Sequence, residues 1–240
     1  MERAHRTKKQ LLAGLPDAGS PGWTAYALPE TAPAFEPGAL TPDQADEMAE
    51  IAAASDTGSV LLVRPSDVTL ILPPFPVEEE VAYSEIWQRP LVESLDRRRT
   101  VAVFLLRLGG FTTGVFRDGF LVDSKTDRRF VKNRHRKGGQ SQRRFDRIRE
   151  KQVHLLFEMA CADVREKLEP YEDELEHVFL GGDRLTLLAF KKECRYFEHF
   201  GPRLRQRTLL VPGDPRKATL DQMPREVWSS EVYRWSADEA

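Results

Sequence analysis

The run VAVFLLRLGGFTTGVFRDGFLVD, residues 101–123, decides how this 240-residue chain is read. Val101 to Leu108 is almost continuously apolar, as expected of a strand buried on both faces. Gly109-Gly110 is a two-residue turn. Phe111 to Arg117 makes a second strand. Asp118-Gly119 then signals a hairpin, because both central residues of that turn need positive φ. Phe120 to Asp123 is the third strand, and Arg128 to Lys132 is expected as a fourth, at the sheet edge.

Downstream, NRHRKGGQSQRRFDRIR (residues 133–149) leads into a helix expected from about Ser141 to Leu168. Phe145, Ile148, Leu155, Met159 and Ala162 form its expected apolar stripe. Val178 to Leu180 reads as a short strand, Arg184 to Lys192 as a helix and Arg207 to Val211 as a strand. Upstream, Thr41, Pro42 and Gln44 are a capping box with proline at the first helical position, so a helix should run to about Ala54. Ser59 to Arg64 and Val68 to Leu72 read as strands around the turn Pro65-Ser66-Asp67. Val77 to Arg99 reads as helical, restarting at Pro90. The expected organisation is an irregular segment over 1–40, a small α+β region over 41–94, a larger domain over 95–212, and a tail over 213–240 with a helix from Lys217 to Trp235.

Charge singles out one place. The chain carries 36 Lys/Arg and 38 Asp/Glu, a net charge of −2. Between Lys125 and Lys151, however, twelve basic residues face three acidic ones. Such concentration marks either a solvated face or a footprint for a polyanion. No apolar run approaches the roughly 20 residues of a membrane-spanning helix, and the charged first ten residues do not form a secretory signal. Cys161 and Cys194 cannot build a disulfide framework and fit a reducing cytoplasm. The five histidines are scattered, so neither a metal site nor a cofactor is expected.

Within the basic segment, Gly138 and Gly139 allow backbone conformations that other residues resist. The helix that follows offers free N–H groups and the positive end of its dipole. Arg134, Arg136, Lys137, Arg143, Arg144 and Arg147 surround that start and suit RNA phosphates. Gln140 stands at the apex. Its carboxamide donates and accepts hydrogen bonds at once but is no acid or base near neutral pH. It can hold a water, or a sugar hydroxyl, against a reacting carbonyl. The tripeptide alone is equally compatible with a flexible loop before a helix.

Gly138-Gly139-Gln140-Ser141, Arg144-Phe145, Arg147 and Arg149, with Val101 to Phe116 upstream, make the segment from about Leu95 to Leu180 resemble the peptide-releasing domain of archaeal and eukaryotic class-one release factors. It looks most like bacterial relatives of the ankyrin-repeat and zinc-finger peptidyl-tRNA hydrolase of ribosome quality control. The resemblance implies a ribonuclease H-like α/β fold with a mixed sheet and packed helices. It also implies hydrolysis of the peptide–tRNA ester in the peptidyl-transferase centre, with Gln140 positioning the nucleophile and Gly138 and Gly139 shaping the loop. The implied partners are peptidyl-tRNA and the large ribosomal subunit, with no membrane, and the protein is expected to be monomeric. The first 90 residues do not resemble a stop-codon-reading domain, and no ankyrin repeat, zinc finger or GTPase-binding domain is evident. Codon-independent rescue of stalled nascent chains is therefore the expectation. Two alternatives remain. One is an endonuclease cutting near the tRNA acceptor end, although Val101 to Leu108 carries no acid and Asp118 and Asp123 read as turn residues. The other is a ribosome- or RNA-binding protein whose Gly-Gly-Gln loop only clamps.

Overall fold

A computed structural model of the protein describes residues 1–34, 39–132 and 140–236, without the side chains of Gln140, Ser141 and Gln142. The chain forms two compact units, Met1–Arg97 with Arg225–Ala240, and Arg98–Pro224.

The first unit contains β1 (Glu2–Thr7), α1 (Lys8–Gly14), β2 (Trp23–Ala27), α2 (Pro42–Ala53), β3 (Ser59–Val63), β4 (Asp67–Leu72), β5 (Val81–Tyr83) and α3 (Arg89–Asp96). The expected capping box is present: the Thr41 hydroxyl accepts from the Gln44 backbone N–H, and the Gln44 side chain accepts from the Thr41 N–H. Both anticipated strands, β3 and β4, pair antiparallel. Leu61 and Leu70 pack with Met48 and Ala52 of α2, while Val60, Leu62 and Ile71 meet Leu11 of α1 and Leu91 of α3 on the other face. That alternation of neighbouring residues between two faces is the period of an antiparallel sheet.

The second unit contains β6 (Thr100–Arg107), β7 (Gly110–Arg117), β8 (Phe120–Arg128), α4 (Gln140–Leu168), β9 (Leu175–Gly182), α5 (Arg184–Glu193), β10 (Leu204–Leu209) and α6 (Lys217–Leu220). α7 (Met223–Val227) leads back to β11 (Ser229–Ser236) in the first unit. The order in the second sheet is β10-β9-β6-β7-β8. β6 pairs parallel with β9 and antiparallel with β7, so the sheet is mixed, as expected. Residues 101 to 106 are all buried, which is why β6 reads as one apolar run. Ala102, Phe104 and Leu106 face α4 and α5 through Phe157, Ala160, Val164 and Phe190. Asp118 and Gly119 take φ of 52° and 82° and close the β7–β8 hairpin as anticipated. At the end of β9, Gly182 has φ of 139°, and a Cβ there would fall 2.0 Å from the Leu106 carbonyl oxygen.

Several expectations are corrected. The segment over 1–40 contains β1, α1 and β2, and the tail ends in β11 rather than a long helix. β11 lies between β1 and β4, with Val232 opposite Ala4 and Ile71. Tyr233 and Trp235 pack with the core on one face of the sheet and Val232 with that on the other, a period of two that only pairing from both sides makes decisive. The units therefore divide at Arg97 and Pro224 rather than near 94 and 212, and the tail belongs with the first unit. Over Val77 to Arg99 only the part before Pro90 is corrected, because Val81–Tyr83 pairs with β2, while α3 does begin at Arg89–Pro90. The fourth edge strand over 128–132 is absent. β8 instead continues through polar residues to Arg128, opposite Gly110, as an edge strand with one wet face can.

The apolar stripe of α4 is rotated from the expected one. Leu156, Phe157, Ala160, Val164 and Leu168 are buried, whereas Ala162 and Phe145 are exposed. The sheet selected one of two overlapping apolar sets, and packing of α4 begins near Val153. Cys161 and Cys194 are joined in a disulfide across 33 residues, their Cα atoms 5.5 Å apart. Reading them as reduced thiols is thus corrected; α4 and the end of α5 bring together residues whose spacing carries no such signal.

Candidate functional site

α4 is 29 residues long and begins at Gln140. At 1.5 Å per residue it extends about 43 Å. Its packed part starts near Val153, and the turns before it belong to no core cluster among the described residues. Arg143, Arg144 and Arg147 are exposed on those turns, as a polyanion-facing surface requires. None of the three makes an ion pair with another described residue. No acidic residue lies in the first turn of α4. Basic side chains at the positive end of a helix dipole cost roughly 0.3–1 kcal/mol each when nothing answers them. An anion placed there removes that cost.

Lys132 is tied to α4 by two hydrogen bonds and a ring contact. The Lys132 backbone N–H donates to Gln152 Oε1 at 3.0 Å, and Arg149 Nε donates to the Lys132 carbonyl at 3.2 Å. The Lys132 ammonium lies 5.6 Å from the centre of the Phe145 ring. The chain is therefore clamped to α4 immediately before residue 133, and α4 starts at Gln140. Arg149, part of the motif, serves here as a brace. Gly138, Gly139, Arg134, Arg136 and Lys137 lie outside the described residues, and of Gln140 only its place as the first residue of α4 is described.

Not every charge in the basic segment faces outward. Lys125 Nζ lies 2.9 Å from both Asp163 Oδ1 and Glu166 Oε2. Hydrogen bonds to Glu166 and then Asp163 raise the Lys125 pKa, and the Lys125 bond and charge lower that of Glu166. Asp123 pairs with Lys167 at 3.0 Å, and Asp118 accepts the Arg99 N–H at 2.9 Å. Both acids therefore have structural work in the sheet, and Asp123 does it by ion pairing rather than in a turn. Among the described residues, no group of three or more His, Cys, Asp or Glu is placed to hold a metal ion, and no helix is long and apolar enough to cross a membrane. The sequence reading missed the clamp residues Lys132 and Gln152 and the exposed Phe130. An aromatic directly after Arg128-Arg129 was the available signal.

The second unit joins a mixed sheet to a long helix whose first turns are basic, and comparison with known proteins relates the chain to release factors. Peptide chain release factor subunit 1 of Archaeoglobus fulgidus is 29% identical over 126 residues, covering 52% of this chain and 31% of that protein. Its namesake in Methanopyrus kandleri is 30% identical over 123 residues, covering 50% and 30%. The chain thus spans about a third of the length of these curated relatives. A solved structure described as the archaeal translation termination factor aRF1 aligns with 92% of this chain and 70% of its own, at 13% identity and a TM-score of 0.42.

Residues 99–233 match the family model described as the Actinobacteria/Chloroflexi VLRF1 release factor, which is more than half of the chain. The protein belongs to that family, and its setting is translation.

Proposed function

We propose that the protein is a codon-independent peptidyl-tRNA hydrolase that frees stalled nascent chains in the cytoplasm, akin to the peptidyl-tRNA hydrolases of ribosome quality control. The observation that carries this reading is the start of α4: Gln140 opens the helix directly after Gly138-Gly139, with exposed arginines beside it and no acid in the first turn. Family membership supports it.

In the reaction, a water oxygen attacks the ester carbonyl carbon. The bond from that carbon to the ribose 3′ oxygen breaks. The peptide leaves as a carboxylic acid, and the 3′ oxygen takes up a proton to become a hydroxyl on the tRNA. No covalent intermediate with the protein is needed. Gln140 orients the water through its carboxamide, and backbone N–H groups at the helix start meet the oxyanion as it develops. Gly138 and Gly139 let the main chain approach the ester closely. Arg134, Arg136, Lys137, Arg143, Arg144 and Arg147 hold phosphates of the tRNA and of ribosomal RNA in the large subunit.

The test compares wild-type and Gln140→Ala proteins on ribosomes stalled with labelled peptidyl-tRNA. The variant should release peptide about 10²–10³ times more slowly, the scale of removing one preorganised donor, while ribosome binding persists and the tRNA keeps its full length. Undiminished release by Gln140→Ala would overturn the assignment, and a shortened tRNA would replace it with a nuclease.

A further inference from the structure

Beside the β6–β7 turn lies an open cavity of about 240 Å³ that the chemistry assigned to Gln140 does not use. Arg107, Gly109, Gly110, Arg128, Phe130 and Asp214 are among the residues that line it. Gly109 takes φ of 114°, and a Cβ there would meet nothing within 4 Å, so the cavity is open at that position. Phe130 is 73% exposed while the next residue, Val131, is buried. The chain thus turns the smaller apolar side chain inward and presents the larger aromatic one. The Arg107 guanidinium donates to the Gly213 carbonyl at 2.6 Å, which fixes its position beside the cavity. Asp214 is already engaged by Arg216 at 2.9 Å. Its carboxyl is held below the usual range first by that hydrogen bond and also by the charges of Arg128 and Arg107.

We propose that this cavity binds one unpaired RNA nucleotide, its base stacked on Phe130 and its phosphate met by Arg107 and Arg128; the proposal rests on the peptidyl-tRNA hydrolase reading. A base has an apolar face for the ring, and its phosphate answers the guanidiniums. Asp214 adds an acceptor for an exocyclic amine. A simple anion would leave Phe130 unused, and an apolar peptide side chain would leave the arginines unused.

Position narrows the choice of nucleotide. Phe130 is two residues from Lys132, which is bonded to Gln152. Gln152 lies twelve residues along α4 from Gln140, about 18 Å. With Gln140 at the ester, the cavity takes a nucleotide well behind the one that carries the peptide. Its source is either the single-stranded acceptor end of the tRNA or an unpaired ribosomal RNA loop.

The test has two readouts. First, binding of a short labelled oligoadenylate is followed by fluorescence anisotropy for wild type, Phe130→Ala, Phe130→Trp and Arg128→Gln, with thermal melts to verify folding. Phe130→Ala should weaken binding roughly 5- to 150-fold, the range for loss of one base stack; Phe130→Trp should restore it, and Arg128→Gln should flatten its salt dependence. Second, in single-turnover peptide release, Phe130→Ala should raise the half-saturating protein concentration and leave the saturated rate unchanged. The same loss on free peptidyl-tRNA assigns the nucleotide to the tRNA; a loss seen only on ribosomes assigns it to ribosomal RNA. Phe130→Ala binding within twofold of wild type overturns the proposal. A wild-type protein that releases no peptide but loses oligoadenylate binding with Phe130→Ala overturns the hydrolase reading and keeps the cavity.

Discussion

At the far end of α4, Lys125 reaches Asp163 and Glu166, Lys167 reaches Asp123, and Arg165 and Lys167 occupy the last turn, where the helix dipole favours cations. At the near end, Arg143, Arg144 and Arg147 stand exposed on a helix start that has no acid in its first turn. The same residue types occur at both ends of one helix, yet one set is matched by the fold and the other makes no ion pair among the described residues. Matched charge holds α4 to β8. Under the proposed function, the exposed set meets the phosphates of RNA. A tally of basic residues over 125–151 joins these two populations, and the structure separates them.

This contrast can be broken or sharpened by experiment. The largest stability effect should come from the packed half. Removing the cross-link with the paired change Cys161→Ala and Cys194→Ala should cost about 3–4 kcal/mol by loop entropy for a closed loop of this size. Chemical denaturation would measure it; an unchanged midpoint would show that the disulfide adds nothing to α4 packing. RNA binding at low denaturant should survive.

The exposed half should behave in the opposite way. Changing Arg143, Arg144 and Arg147 together to Gln should leave the melting temperature unchanged or slightly higher. The plot of log affinity against log salt should become shallower by about 2–3, from roughly 0.7–0.9 per lost phosphate contact. Loss of folding stability in this variant would erase the distinction between the two ends.

Lys125→Met is a finer probe. It removes the cation from Asp163, which is largely buried. The expected cost is about 1–2 kcal/mol from an unanswered carboxylate, with no change in the salt dependence of RNA binding. A weakened RNA complex at full stability would move Lys125 into the contact surface.

The smallest effect is a pH dependence midway along α4. His154 Nδ1 lies 2.7 Å from Glu193 on α5, and Glu158 is 3.3 Å from Nε2. The hydrogen bond to Glu193, then the charges of Glu158 and Glu193, raise the His154 pKa. The contribution of the protonated ring is therefore complete below the unfolded-state value of about 6.5, provided the carboxylates are ionised, and is lost as pH rises through the higher folded-state value. Melting curves of wild type and His154→Gln should differ at pH 6 and converge by pH 9. A constant difference across that range would make the contact one of packing alone.

The parts legible beforehand share a physical feature: they are local. The Asp118-Gly119 hairpin needs only two residues with positive φ, the Thr41–Gln44 capping box closes within three residues, and the buried run of β6 declares itself by composition. The start of α4 was legible within one residue for the same reason. In the candidate site, the exposure of Arg143, Arg144 and Arg147 was legible because they fall off the expected apolar stripe of α4, while Phe130 was hidden because it was assigned to a strand. The expected stripe of α4 failed because two apolar sets overlap on one helix, and only the facing sheet residues choose between them.

From its order of residues alone, then, this chain dictated the β6–β8 meander, the helix that follows the glycine pair, and the clustering of positive charge around Gln140. Such features depend on backbone preferences and neighbours a few positions away. Tertiary structure decided that the first and last strands pair, that Cys161 meets Cys194, that Lys125 turns inward to two acids, and that Phe130 turns outward over an open cavity. Each of these joins segments distant in the chain or selects between faces of one element. The energy that makes the choice comes from contacts that exist only once both partners are folded.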